Sequence, residues 1–235
     1  MMVLSQRHLQ PEWMDRPDCD RELHREALHG LATINWWSGS ARLLWPSIKQ
    51  CALKNGRIRI LDLACGGGDV TVRLAQIAKQ QKIPLAFAGC DRSQLAVDLA
   101  TERTRIADLD IEFWRQDVLL NDLPGDFDIV MCSLFMHHLE HADAVKLLRC
   151  MAEATRSLVL VNDLRRSTAG YLLALGGVWM LSRSAVVRFD GPVSVQGAFT
   201  IREMHQLATS AGLTGARVMR RWPQRFLMQW TRPQS

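Results

Sequence analysis

The chain has 235 residues, 48% hydrophobic and 23% charged, with 29 basic against 24 acidic side chains and a net charge of +5. That length and hydrophobic fraction suit one α/β domain, with or without an appended cap, that buries its core without disulfide staples. The arginines are scattered, so the charge reads as a solvated basic surface and excludes a dense nucleic-acid-binding block.

The first twenty residues, MMVLSQRHLQPEWMDRPDCD, mix acids, arginines and prolines and lack the apolar run of a signal peptide, which points to a cytoplasmic protein. The six cysteines (Cys19, Cys51, Cys65, Cys90, Cys132, Cys150) form no C-x-x-C pair and read as free thiols of a reducing compartment. Residues 20–50 read as two amphipathic helices, with Leu23, Ala27, Leu28, Leu31 and Ile34 in one stripe and Trp36, Trp37, Leu44 and Trp45 near their junction.

From Ile58 onward short apolar runs alternate with helical patterns. Strands are predicted at 58–63, 85–90, 111–117, 127–133 and 157–162, with helices after Asp69 and after an N-cap at Ser93. A further helical face joins Val145, Leu148, Met151 and Ala152, and the capping box TIRE opens a last helix at Thr200. Buried strands separated by single helices run parallel, so the expected fold class is α/β, a doubly wound, mostly parallel, seven-stranded sheet. Residues 216–232 read as two strands around Pro223 and Gln224, a C-terminal antiparallel hairpin.

The segment LDLACGGGDV (61–70) ends the first strand in an acid and three consecutive glycines before a helix. Gly66, Gly67 and Gly68 clear the carboxyl edge of the sheet for a close ligand, and a helix N-terminus sits beside them. The dinucleotide fingerprint would put Thr71 at its third glycine, a poor fit.

Together LDLACGGGDVTVRLA, FAGCDRS, WRQDVL and FDIVMCSLFMHHL, in this order, resemble the successive motifs of class I S-adenosylmethionine-dependent methyltransferases. Within that family LDLACGGGD is most similar to the quinone-biosynthesis enzymes and related small-molecule methyltransferases, and NDLRRS with YLLAL and the DGP segment looks like enzymes that tailor phenolic lipids beside polyketide synthases. The resemblance implies a Rossmann-like domain over 51–235, with an N-terminal helical cap (1–50) and an apolar lid insertion (165–199). It implies S-adenosylmethionine as cofactor, with Asp62 at its methionine end, Asp91 on the ribose hydroxyls and Asp117 on the adenine amino group beside Val118. Ala64 replaces the first glycine of the family's loop, and Gly66, Gly67, Gly68, Arg92, Gln116, Ser133 and Leu134 complete the expected cofactor shell.

HHLEH (137–141) matches an inverted zinc-protease motif through His137, Glu140 and His141, but the strand and turn before it argue against one helix carrying all five residues, so no metal is expected. His137 and His138 are the candidate bases for a substrate hydroxyl, His138 slightly favoured. Trp36, Trp37, Tyr171, Leu175 and Trp179 are the expected substrate wall, an apolar, aromatic lining suited to a phenol, a quinone or a lipid-tailed ring. The expected partner is thus a small molecule, with no nucleic acid and no stable membrane insertion, only peripheral contact through the lid. O-methylation of a phenolic or polyketide-derived hydroxyl leads this reading; C-methylation of a quinone precursor, an NAD-dependent oxidoreductase and a non-catalytic cofactor-binding protein stay open beside it.

Overall fold

The computed structural model describes residues 4–16, 19–182 and 184–233. Helices α1 (Arg21–Trp37) and α2 (Ser40–Asn55) precede an alternation of β1 (Ile58–Leu63), α3 (Asp69–Gln81), β2 (Leu85–Asp91), α4 (Gln94–Ile106), β3 (Ile111–Arg115), β4 (Phe127–Ser133), α5 (His141–Ala154) and β5 (Thr155–Leu164). Then come α6 (Thr168–Leu181), α7 (Ala185–Gly197), α8 (Ile201–Ser210) and the hairpin of β6 (Arg217–Arg221) and β7 (Arg225–Thr231). The strands form one seven-stranded sheet in the order β3-β2-β1-β4-β5-β7-β6. β1 to β5 are parallel, and β7 runs antiparallel to both β5 and β6. The expected fold class holds.

Alternation along the strands sorts the core into two layers. Ile58, Ile60, Ile129, Met131, Leu158 and Leu160 face α2 and α3, whereas Leu61, Leu63, Val130, Cys132, Val159 and Val161 face α5 and α8. A third cluster joins Ala27 of α1, Val178 of α6 and Val186 and Val187 of α7 above the sheet edge. α2 therefore belongs to the sheet's own core, and the expected cap boundary at residue 50 falls inside it. The covering elements are α1, the segment before it, α6 and α7.

Part of the expected lid is helical despite residues that disfavour a helix: α7 runs through Gly191 and Pro192 to Gly197. Tertiary burial outweighs propensity here. Val186, Val187, Val193 and Val195 are buried, and a side chain on Gly191 would stand 2.5 Å from Val178 Cγ1, so the glycine lets α6 and α7 touch.

The same close approach occurs inside the sheet. A Cβ on Gly89 of β2 would lie 2.6 Å from the Phe113 ring and 3.1 Å from Cys65 Sγ. Gly89→Ala is expected to lower unfolding stability by about 1–3 kcal/mol, read from the denaturation midpoint at unchanged slope.

Candidate active site

A cleft of about 1840 Å³ opens at the carboxyl ends of the strands, where strand order reverses between β1 and β4. Single-ligand pockets run to about 300–1,000 Å³, so this cleft has room for more than one small molecule. Its floor is the loop after β1 with the ends of β2, β3 and β4, and its roof comes from residues 9–16, α1, α6 and α7.

The loop after β1 is held by the next strand. Asp91 accepts hydrogen bonds from Gly66 N (2.9 Å) and Ser93 N (2.8 Å), and Cys65 N donates to Cys90 O. Ala64 and Gly66 take positive φ (+50° and +54°), which turns the chain out of the strand at once. The glycines divide their work differently from the sequence reading. Gly66 and Gly67 border the cleft, but a side chain on Gly68 would stand 2.8 Å from Ala100 Cβ, at a φ of +70°. That third glycine makes room for α4 and Phe113, not for a ligand, and its N–H is bound to Cys65 O.

Asp62 lies beneath the loop. Thr71 Oγ1 donates to its Oδ2 at 2.5 Å, while Oδ1 is buried with no partner. Burial, chiefly, pushes this carboxyl up to about 7, with Asp69 and Asp91 adding to it against the Thr71 hydrogen bond. An orphaned carboxylate oxygen at a cleft wall is a position for a donor carried by a ligand.

The remaining expected cofactor residues also border the cleft. Asp117 Oδ1 accepts from Leu119 N at 2.9 Å. Gln116 accepts from Trp114 Nε1 and donates to Asp122 O, so its side chain braces the loop. Arg92 is tied through its carbonyl to Arg115 Nε, and Val118 is buried. Leu134 has φ of +57° and donates to Asn162 O, and Ser133 Oγ accepts from Asn162 Nδ2.

The two histidines sit on a 3-10 turn (Met136–His138), and α5 begins at His141, so the H-x-x-E-H residues do not share a helix. His137 is 4% exposed. Its Nδ1 lies 2.7 Å from Asp163 Oδ1 and its Nε2 3.5 Å from Glu12 Oε1. Burial alone would lower its pKa, but the two carboxylates override this and hold it at about 10. His138 is the more open of the pair, with Nδ1 3.9 Å from Glu12 Oε1. Both border the cleft.

Glu12 and Asp163 escaped the sequence reading. Asp163, beside Asn162 at the end of β5, had a detectable signal as a strand-end acid, but Glu12 has no local signature. α7 brings it in: Asp190 accepts from Trp13 N and Met14 N, and Ser194 Oγ donates to Glu12 Oε1. Arg7 straps the same segment down by donating to Gly197 O, His137 O and Leu139 O.

The substrate wall needs correction. Trp37 borders the cleft, but Trp36, Tyr171, Leu175 and Trp179 do not. Trp36 is 61% exposed and packs edge-on against Trp37, and Trp179, 62% exposed, lies under the Arg188 guanidinium. α6 borders the cleft through Leu173, Ala174, Gly177, Val178, Met180 and Leu181, with Gly170 at its start. α6 carries no charged side chain to mark its outer face, so its phase could not be read from residue spacing.

Residues 60–157 match the family model described as a methyltransferase domain. Curated relatives include ubiquinone biosynthesis O-methyltransferases of Methylococcus capsulatus, 29% identical over 128 residues (53% of this chain, 51% of the relative), and of Xanthomonas campestris pv. campestris, 28% identical over 175 residues (70% and 63%). The chain thus spans between half and two-thirds of those relatives' lengths. Among solved structures, the S-adenosylmethionine-dependent methyltransferase SibL in its apo form has a TM-score of 0.68 at 18% identity, over 97% of this chain and 63% of that one. Magnesium protoporphyrin IX methyltransferase of Synechocystis with bound S-adenosylhomocysteine has 0.56 at 16% identity, over 83% and 84%. Those structures share the fold, and the sequence match identifies a methyltransferase domain over residues 60–157; together they support a class I S-adenosylmethionine-dependent methyltransferase.

Proposed function

We propose that the chain transfers a methyl group from S-adenosylmethionine to a hydroxyl of a small apolar or aromatic acceptor, a phenol or a polyketide-derived phenolic. The observation that carries this reading is one cleft with two unlike kinds of lining. Acids and a tight backbone loop form one part of its lining, and the Glu12–His138 pair together with the apolar Leu9, Leu31, Leu173 and Val187 forms another. The curated relatives' O-methyltransferase names support attack by oxygen.

The residues present fit the cofactor. Asp62 Oδ1, buried and unpartnered, would accept from its amino group. Asp91, which borders the cleft and accepts one backbone amide on each oxygen, would take the ribose hydroxyls. Asp117 would receive the adenine amino hydrogens, with Gln116, Val118 and Arg92 around the ring and Ala64, Gly66, Gly67, Ser133 and Leu134 along the rest. When bound, the cofactor supplies an electrophilic methyl group. The chain holds the acceptor oxygen in line with it, excludes water with α1, α6 and α7, and receives the hydroxyl proton at the Glu12–His138 pair. His137 has a carboxylate at each ring nitrogen and so positions its neighbour.

Calorimetric titration with S-adenosylmethionine, S-adenosylhomocysteine and NAD tests the cofactor. Micromolar binding of the adenosyl pair alone is expected, weakened about tenfold by Asp91→Asn; binding of NAD alone would refute the assignment. His138→Ala is expected to lower kcat with a phenolic acceptor by about 10²-fold while leaving S-adenosylhomocysteine affinity intact, which steady-state kinetics and calorimetry separate.

Asp62 predicts a trade-off with pH. Its folded pKa of about 7 lies above the usual 3.8, so the carboxyl costs stability progressively as pH rises between those values. Without ligand, Asp62→Asn is expected to be more stable than the parent chain above pH 7, by thermal denaturation, and to bind S-adenosylmethionine more weakly.

A further inference from the structure

We propose that Glu12, His137 and His138 form a binding site for a divalent cation of zinc type, with its open side toward the acceptor end of the cleft. Among the described residues these three alone bring His, Cys, Asp or Glu ligand atoms together as a potential metal site, all within 4.8 Å of one another. They come from two places far apart in sequence, the strap before α1 and the turn after β4.

Three features of the cluster point to a cation. The separations come first. His137 Nε2 and His138 Nδ1 stand 3.5 and 3.9 Å from Glu12 Oε1, at or beyond the limit of a hydrogen bond. Ligand atoms around a tetrahedral zinc, with bonds of about 2.0–2.1 Å, stand about 3.3 Å apart, so a small contraction of the cluster makes the site.

Orientation comes second. A metal-binding imidazole uses one nitrogen for the ion and donates its other N–H to a carboxylate, which fixes the ring and raises its basicity. His137 has this arrangement: Nδ1 meets Asp163 at 2.7 Å, and Nε2 faces Glu12. Asp163 is itself held in place, accepting from His137 N and Leu164 N.

Charge and access come third. Glu12 and Asp163 are buried carboxylates on either side of the His137 ring, and a cation held at its Nε2 would supply the positive charge between them when the ring is neutral. All three proposed ligands border the cleft. Three protein ligands and an open position are the pattern of a catalytic rather than a structural site, and two imidazoles with one carboxylate suit zinc better than magnesium or calcium, which favour all-oxygen shells.

The consequence for the reaction rests on the proposed function; the binding does not. An ion here would attract the acceptor's hydroxyl oxygen and favour its ionisation; with the ion bound, the proton would leave to solvent instead of to the Glu12–His138 pair, which would serve as ligands. Acceptors with a hydroxyl flanked by a second oxygen would then be preferred, because they can chelate.

The test is equilibrium dialysis of the untagged, chelator-stripped full chain against zinc, with metal analysis. One equivalent per chain is expected, and affinity reduced at least tenfold in both Glu12→Gln and His138→Ala. Asp163→Asn is expected to weaken zinc binding as well, through loss of ring orientation. Circular dichroism establishes folding of each variant, and calorimetry with S-adenosylhomocysteine reads the cofactor end separately. No zinc retained by a folded, S-adenosylhomocysteine-binding chain overturns the proposal, as does zinc that persists undiminished in both ligand variants, which would place it on the cysteines. Zinc bound as expected by a chain with no affinity for S-adenosylhomocysteine upholds the cation site and refutes the methyl-donor reading.

Discussion

Parallel strands β1, β2, β4 and β5 end at the same edge, and their last backbone groups lose ladder partners there. The chain answers this with side chains that accept backbone N–H groups across strand ends. Asp91 takes amides from the β1 loop and from its own turn. Asp117 does so after β3 and Asp163 after β5, where it receives the amide of the 136–138 turn. Two of these carboxylates, Asp91 and Asp117, thereby border the cleft, while Asp163 stays buried beneath it. Holding the backbone and presenting acceptors are one arrangement.

A second consequence is where charge is buried. Asp62 lies under the loop without a cation, and its carboxyl is pushed up to about 7 mainly by burial. Asp163 lies against His137, and the imidazole there holds it below the ordinary carboxylate range although burial alone would raise it. The ends of β1 and β5, on either side of β4, thus carry carboxyls of opposite tendency, one short of a positive partner and one supplied with it. That asymmetry leaves Asp62 Oδ1 at the cleft wall without a partner, while Asp163 belongs to a polar cluster with His137 and Glu12.

The roof is less local. α7 does not form because of its sequence propensity, since Gly191 and Pro192 lie in its middle. It forms because its valines bury against α1 and α6, while Asp190 and Ser194 anchor the strap that carries Glu12. Cover and chemistry are therefore coupled: a lid displaced from α7 would take Glu12 away from the histidines.

The sheet, its order of elements, the hairpin and the acid-and-glycine rim of the cleft were legible from residues alone. Period-2 burial and strand-end acids are local patterns, and Asp62, Asp91 and Asp117 each announce themselves within a few positions of their strand. Three matters were decided only by tertiary structure. Gly68 serves α4 and Phe113, since what fills a missing side chain's space comes from elsewhere in the chain. The inner face of α6 was misread because a helix with no charged side chain has no phase in its sequence. Glu12 and Asp163 meet His137 across 125 and 26 positions, a pairing that no spacing rule reaches. Local repeats write the fold and the loop; the partners of a buried charge are chosen by packing.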